Sequence, residues 1–272
     1  MNSSTKTPDN AFKSALARRE LQVGLWLALA DPYTAELCAA CGYDWLLIDG
    51  EHAPNDLRTT LAALQAVAPY PAHPVVRVPK GDDALIKQVL DLGAATLLVP
   101  MVETVGQAEQ LARAMRYPPR GIRGVGSSIA RSGRWSLHPD YLQVANDRVC
   151  LLVQVETHQA MDHIEQIAAV DGVDGVFIGP ADLAASMGYL GQAAHPQVKA
   201  AIEAGIAAIN RAGKAAGLLC TDEALARHYM ALGACFVAVA VDTSLLLRAA
   251  SGVAKRFRSD PVDLPVAPSA AY

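Results

Sequence analysis

No stretch of this sequence approaches the roughly 20 consecutive apolar residues that cross a bilayer. The first ten residues, MNSSTKTPDN, also lack the apolar segment of a secretory signal. Both absences point to a cytoplasmic protein. Charge is scarce: 18% of residues are charged, 23 basic against 27 acidic, for a net charge of −4. That balance gives no reason to expect nucleic acid or an anionic membrane as a partner. Cysteine is sparse and odd in number, at positions 38, 41, 150, 220 and 235, with three of the five in apolar runs. This argues against a disulfide framework and for buried, reduced thiols. Cys38-Ala-Ala-Cys41 has no second pair with which to hold zinc. It also falls late in a helical stretch, whereas a redox cysteine gains its low pKa at a helix N-terminus. Its cysteines therefore read as small buried residues.

What the chain does have is apolar surface: 52% of its 272 residues are hydrophobic. Some of that surface is available for contacts between subunits. Eight apolar runs recur along the chain, at residues 22–30, 44–49, 73–78, 96–101, 148–156, 174–180, 215–220 and 235–242. Each is nearly continuous rather than alternating, as expected of parallel strands covered on both faces. Helical stretches follow at 33–41, 55–67, 82–92, 104–115, 157–170, 195–212, 222–232 and 243–257. Asp31-Pro32, Thr221-Asp222 and Asp242-Thr243 provide start signals, and Gly42, Gly93, Gly213 and Gly233 stand where helices should stop. Eight strand–helix units predict one α/β domain over 1–272, a (β/α)8 TIM barrel, with an open doubly wound sheet as the structural alternative. Residues 10–20 predict an extra N-terminal helix; 1–9 and 260–272 read as loose tails.

One connection is out of scale. Residues 117–147 run for 31 positions without a strong helical pattern and carry Arg120, Arg123, Arg131 and Arg134. A loop of that length in a compact domain tends to be functional. Subunit contact and ligand contact are equally open for its arginines. Gly124-Val-Gly126 is only a fragment of a dinucleotide fingerprint and lacks the strand–turn–helix setting.

Active sites of such barrels lie at the C-terminal ends of the strands. The second run, DWLLID, stops abruptly at Asp49, Gly50, Glu51 and His52; the third carries Arg77 among valines; the eighth ends at Asp242. Charges this close to a core are costly unless paired or used. Gln154 and Glu156 stand two apart in one strand and so face the same way. A closing Glu is often a solvated strand end, and Asp182 alone would serve as a helix cap. Together Glu156 and Asp182 offer hard oxygen ligands suited to Mg²⁺ or Mn²⁺. In Gly179-Pro180-Ala181-Asp182, the N–H groups of Ala181 and Asp182 would form a carboxylate seat at a helix start. A cation site beside an anion seat suggests a 2-oxo acid. Asp91 ends a helix, where an acid opposes the macrodipole, so it should pair with a His or Arg or lie free on the surface.

LLIDGEH at 46–52, VVRVP at 75–79, LLVPM at 97–101, YPPRGIRGVG at 117–126, VQVET at 153–157 and VFIGPADLA at 176–184 closely resemble the HpcH/HpaI family of class II pyruvate aldolases. The resemblance runs from about residue 12 to 257. It implies a TIM barrel of the phosphoenolpyruvate/pyruvate superfamily, with its last helix swapped between neighbours in a hexamer built as a trimer of dimers. It also implies reversible C3–C4 cleavage of 4-hydroxy-2-oxo acids, such as 4-hydroxy-2-oxoheptanedioate, to pyruvate and an aldehyde such as succinic semialdehyde. The implied cofactor is a divalent metal ion (Mg²⁺, Mn²⁺ or Co²⁺, with Zn²⁺ a further option) on Glu156 and Asp182. By the same resemblance, His52 is the general base, Asp91 raises its basicity, Arg77 stabilises the transition state, and Gln154, Ala181 and Asp182 hold pyruvate. Hydroxypyruvate as a second donor stays open. A CoA-ester lyase of the citrate lyase beta type and a non-catalytic 2-oxo-acid binder are the alternatives. Schiff-base chemistry would need a desolvated lysine, for which Lys80 is the candidate. Arg120, Arg123 or the Ser127-Ser128 turn is a candidate for the aldehyde's distal carboxylate.

Overall fold

The eight apolar runs become eight parallel strands, each hydrogen-bonded to the next in chain order, with the eighth closing back on the first. A computed structural model describes residues 6–258. The strands are β1 (Gln22–Leu27), β2 (Trp45–Asp49), β3 (His73–Arg77), β4 (Thr96–Val99), β5 (Cys150–Val155), β6 (Gly175–Ile178), β7 (Ala215–Leu219) and β8 (Ala234–Val241). The helices are α1 (Ala11–Ala17), α2 (Pro32–Ala39), α3 (Leu57–Val67), α4 (Asp83–Asp91), α5 (Val105–Ala114), α6 (Tyr141–Arg148), α7 (His158–Met161), α8 (Ile164–Ala169), α9 (Pro180–Ser186), α10 (Pro196–Arg211), α11 (Glu223–Ala231) and α12 (Asp242–Arg256). This is the expected TIM barrel.

Strand pleat sorts the apolar residues into two cores. Leu46, Ile48, Val76, Val153, Val155 and Val176 point outward and meet the helices. Trp45, Leu47, Val75, Leu152, Phe177, Phe236 and Ala238 point inward and fill the barrel. The same period of two carries Asp49, Arg77, Gln154 and Gly179 onto the inner face at the strand ends. β2 and β3 pair so that Asp49 stands opposite Arg77. The predicted N-terminal helix forms as α1 and closes the other end of the barrel. Its Phe12 stacks on His73 at 5.2 Å and contacts Trp45 and Phe236.

The long connection holds more order than its sequence suggests. It contains a short 3-10 segment (Arg131–Ser136) and then α6, which caps the strand-five entrance. The single helix predicted over 157–170 is two helices, α7 and α8, separated at Asp162-His163. Of the tails, residues 6–9 are described, and Thr7 donates to Asp140 through its N–H at 2.9 Å and its hydroxyl at 2.8 Å. The remainder of both expected tails, residues 260–272 among them, lies outside the described residues.

Cys38 is buried and Cys41 exposed, and neither is bonded to another cysteine. Burial, then the charge of Asp242, pushes the Cys38 thiol up to about 11. A redox cysteine needs the opposite shift, so the reading as a small buried residue holds for Cys38 and is corrected for Cys41, which the end of α2 leaves at the surface.

Candidate active site

A cavity of about 400 Å³ opens at the C-terminal ends of the strands, lined by Trp26, Asp49, His52, Arg77, Gln154 and Asp182, with Phe177 and Leu219 as apolar wall. It contains residues from seven separate segments of sequence, brought together because each ends or follows an inward-facing strand.

Asp49 is the hub on one side. Its carboxylate accepts from Arg77 Nε at 2.9 Å and from the other end of the guanidinium at 2.7 Å, and from Trp26 Nε1 at 3.1 Å. It also accepts the N–H of Glu51 at 2.9 Å and of His52 at 3.3 Å, which folds the chain sharply after β2. Gly50 is required in this fold-back: a Cβ there would stand 2.7 Å from the Arg77 carbonyl oxygen. Burial works against charge on Asp49, but the bonds and charge of Arg77 outweigh it and hold the carboxyl below its usual range. Arg77 is buried, lies 4.8 Å from the centre of the Trp26 ring, and touches Glu51 at 2.8 Å. The arginine that closes β3 is therefore paired and still borders the cavity.

Glu156 lies on the other side, just past β5. One oxygen accepts the Met101 N–H at 2.9 Å, and the other accepts from Gln154 Nε2 at 2.5 Å. A Cβ on residue 179 would collide with this carboxylate, so Gly179 is what lets Glu156 fit. Burial pushes Glu156 up to about 7; the Gln154 and Met101 bonds oppose this, and the charges of Asp182 and Glu51 add to it. An acid whose ionisation is opposed first by burial and then by two nearby carboxylates is a site short of positive charge. Gln154 Oε1 is buried without a hydrogen-bond partner. Asp182 lies in the first turn of α9, a helix that begins without a side-chain cap. Its first N–H groups have no intrahelical partner. These oxygen donors suit a hard divalent cation, although among the described residues no three His, Cys, Asp or Glu side chains converge as a complete cage. Glu156 and Asp182 would therefore be the protein's whole contribution to such a site.

The structure thus brings together His52, Arg77, Gln154, Ala181, Asp182 and Glu156. It does not bring Asp91. That residue ends α4, beside the entrance to β4 and so at the opposite end of the barrel from His52. It accepts from Arg123 at 2.6 Å. The expected His52–Asp91 pair is not formed within the chain, because the helix carries Asp91 a full barrel height away. The arginine partner foreseen as one outcome for Asp91 is the one observed. Arg123 itself is buried, bonded to Tyr141 Oη at 3.2 Å and placed 4.5 Å from the centre of the Tyr117 ring. Arg120 pairs with Asp147 at 2.6 Å. Neither borders this chain's cavity. Asp242 also turns from the cavity: it accepts N–H groups of Ala28, Leu29 and Thr243 at 2.7–3.1 Å and ties β1 to α12. Sequence reasoning missed Trp26 and the Met101 N–H. Trp26 sits inside an apolar run, so only its position near the end of β1 could have signalled it.

A family model described as HpcH/HpaI aldolase/citrate lyase matches residues 22–249. The chain belongs to this family. It is 61% identical to a hydroxypyruvate/pyruvate aldolase of Cupriavidus necator over 97% of this chain and 99% of that protein. It is 59% identical to a 4-hydroxy-2-oxo-heptane-1,7-dioate aldolase of Escherichia coli over 92% of this chain and 95% of that protein. A crystal structure of a family member from Burkholderia cenocepacia superposes with a TM-score of 0.88 at 44% identity, covering 92% of this chain and 100% of the other. The chain is a carbon–carbon lyase of the aldolase kind. A solved citrate lyase beta subunit shares the fold alone, at 20% identity and a TM-score of 0.55. No helix among the described residues is long and apolar enough to cross a membrane.

Proposed function

We propose that this chain catalyses reversible C3–C4 cleavage of 4-hydroxy-2-oxo acids to pyruvate and an aldehyde, with a divalent cation as cofactor. The observation that carries this reading is one cavity that Asp182, Gln154 and the buried guanidinium of Arg77 border together, with the Glu156 carboxylate packed directly against Gln154 and Gly179 of its lining. A divalent cation held by Glu156 and Asp182 would supply a Lewis acid toward the oxygens of the 2-oxo acid. Gln154 and the N–H groups of Ala181 and Asp182 receive the carboxylate. Arg77 faces the C2 oxygen with fixed positive charge. Negative charge collects on that oxygen as the C3–C4 bond breaks, and a preorganised donor is worth about 10²–10³ in rate. His52, exposed at the mouth, takes the proton of the C4 hydroxyl as the bond breaks, and a proton is then delivered to C3 of the enolate to give the methyl group of pyruvate; condensation runs both transfers in reverse.

Lysine chemistry finds no support. Lys80 is exposed and borders a separate cavity with Pro79, Gly81 and Gln107, whereas a Schiff-base lysine needs desolvation at the site.

The relatives are named for different substrates, one for hydroxypyruvate and pyruvate, the other for a seven-carbon diacid. We assign pyruvate as the product common to both and 4-hydroxy-2-oxoheptanedioate with succinic semialdehyde as the pair to assay first, followed by hydroxypyruvate as donor. We also assign a homohexamer, supported by the exposed Leu245, Leu246, Leu247, Val253 and Phe257 on and after α12. In this reading Asp91 contributes to a His52 only across a subunit contact. The test is pyruvate release from 4-hydroxy-2-oxoheptanedioate with Mg²⁺, Mn²⁺ or Co²⁺ and with EDTA. Cation-dependent release is expected and should be lost in Arg77→Ala; equal release in EDTA would overturn the metal-dependent reading.

A further inference from the structure

Asp49 already neutralises Arg77 with two aligned hydrogen bonds at 2.9 and 2.7 Å. A second carboxylate against the same guanidinium is therefore unneeded for charge balance. Yet Glu51 Oε2 lies 2.8 Å from the remaining terminal nitrogen of Arg77. That oxygen is buried and makes no aligned hydrogen bond. Placing it there is unfavourable: burial, opposed by Arg77 and His52 and reinforced by Asp49 and Asp182, raises the Glu51 carboxyl above its usual range. A half-buried acid kept in an unfavourable place needs a use.

Ligation of the cation is not that use, since among the described residues Glu51 does not converge with Glu156 and Asp182 as a third ligand. Its contact with His52 is longer, 3.8 Å to Nε2, and that imidazole is exposed. The strong contact is with Arg77. Asp49 grips one edge of the guanidinium plane and Trp26 lies over one face, so the third nitrogen, at the far corner, is the part these two contacts do not hold. Glu51 holds that third nitrogen. Its own position is locked, because the Glu51 N–H is bonded to Asp49 and Asn55 Nδ2 donates to the Asp49 carbonyl at 2.7 Å.

We propose that Glu51 is a positioning residue that fixes the orientation of the Arg77 guanidinium toward the reacting C2 oxygen. This rests on the aldolase reading above. A small displacement of such a group costs up to about 10²-fold in rate.

The experiment uses full-length Glu51→Gln and Glu51→Asp with Mn²⁺, each alone and in an Arg77→Lys background. Glu51→Gln should lower kcat for pyruvate release by about 10- to 100-fold, with KM and directly measured Mn²⁺ affinity within about threefold of wild type. Glu51→Asp should recover part of the loss. In the Arg77→Lys background Glu51→Gln should add little, because residues acting as one unit are non-additive. Crystals of Glu51→Gln should show Arg77 displaced or in more than one conformer. Losses that multiply in the double variant, Mn²⁺ affinity falling in step with activity, or Arg77 unmoved in the crystal would each overturn the proposal. Wild-type turnover with Mn²⁺ reports on the aldolase reading separately, and the crystal readout stands whether or not turnover is seen.

Discussion

Glu156 makes the sharpest prediction for a single residue. Its folded-state pKa is about 7, above its ordinary value of 4.5, so the folded protein holds this proton more tightly than the unfolded chain does. In metal-free protein the cost of ionising it is absent below about pH 4.5, grows as pH rises and is complete above about pH 7. A shift of that size corresponds to about 3 kcal/mol. Urea unfolding in EDTA should therefore find Glu156→Gln as stable as wild type near pH 4.5 and more stable by up to that amount at pH 8. With a divalent cation present the order should reverse at pH 8, since only the carboxylate binds it. Arg123 gives a contrasting case. It is buried between Asp91, Tyr141 and Tyr117, and removing one member of a buried charge pair typically costs about 3–5 kcal/mol. Arg123→Ala should lower thermal stability while leaving the preference among acidic and neutral aldehydes unchanged; a changed preference with unchanged melting would show that Arg123 touches substrate.

At the level of elements, strand parity made most of the site legible. Gln154 and Glu156 could be placed on one inner face from their spacing alone, and Arg77 stood out as a charge inside a valine run. The fold-back after β2 was not legible, because Asp49 serves as its hub through bonds to Trp26 and Arg77 that lie 23 and 28 residues away. Asp91 was half legible: its place against the macrodipole called for a His or Arg partner, and Arg123 is that partner, but only the direction of α4 shows that the helix ends at the far face of the barrel. α6 escaped notice because it has no side-chain cap and buries little beyond Tyr141 and Ala145. α1 was legible as a helix, but its role as the barrel's lower plug depends on Phe12 meeting Trp45, His73 and Phe236. Phe12→Ala should cost about 3–5 kcal/mol in urea unfolding, as for other large buried aromatics. A loss below about 1 kcal/mol would mean that α1 is dispensable to the core.

For the whole molecule, the apolar excess of the sequence is only partly absorbed by one barrel. Leu246 and Leu247 remain about 60% exposed on α12, and Phe257 just beyond it is 85% exposed. Exposed apolar surface of this kind marks interaction sites, and the proposed hexamer would bury it between copies. If the proposed hexamer packs through this helix, charged replacements at Leu246 and Leu247 should lower the mass seen in multi-angle light scattering; an unchanged mass would contradict a contact through α12. The barrel as a whole serves to aim a guanidinium and two acids at one small cavity. The most direct test of that account is exchange of pyruvate's methyl protons with deuterium oxide, followed by NMR in wild type and Arg77→Ala with and without Mn²⁺. The account predicts exchange that requires the cation and is lost in the variant. Exchange that continues in EDTA, or in the variant at wild-type rate, would contradict it.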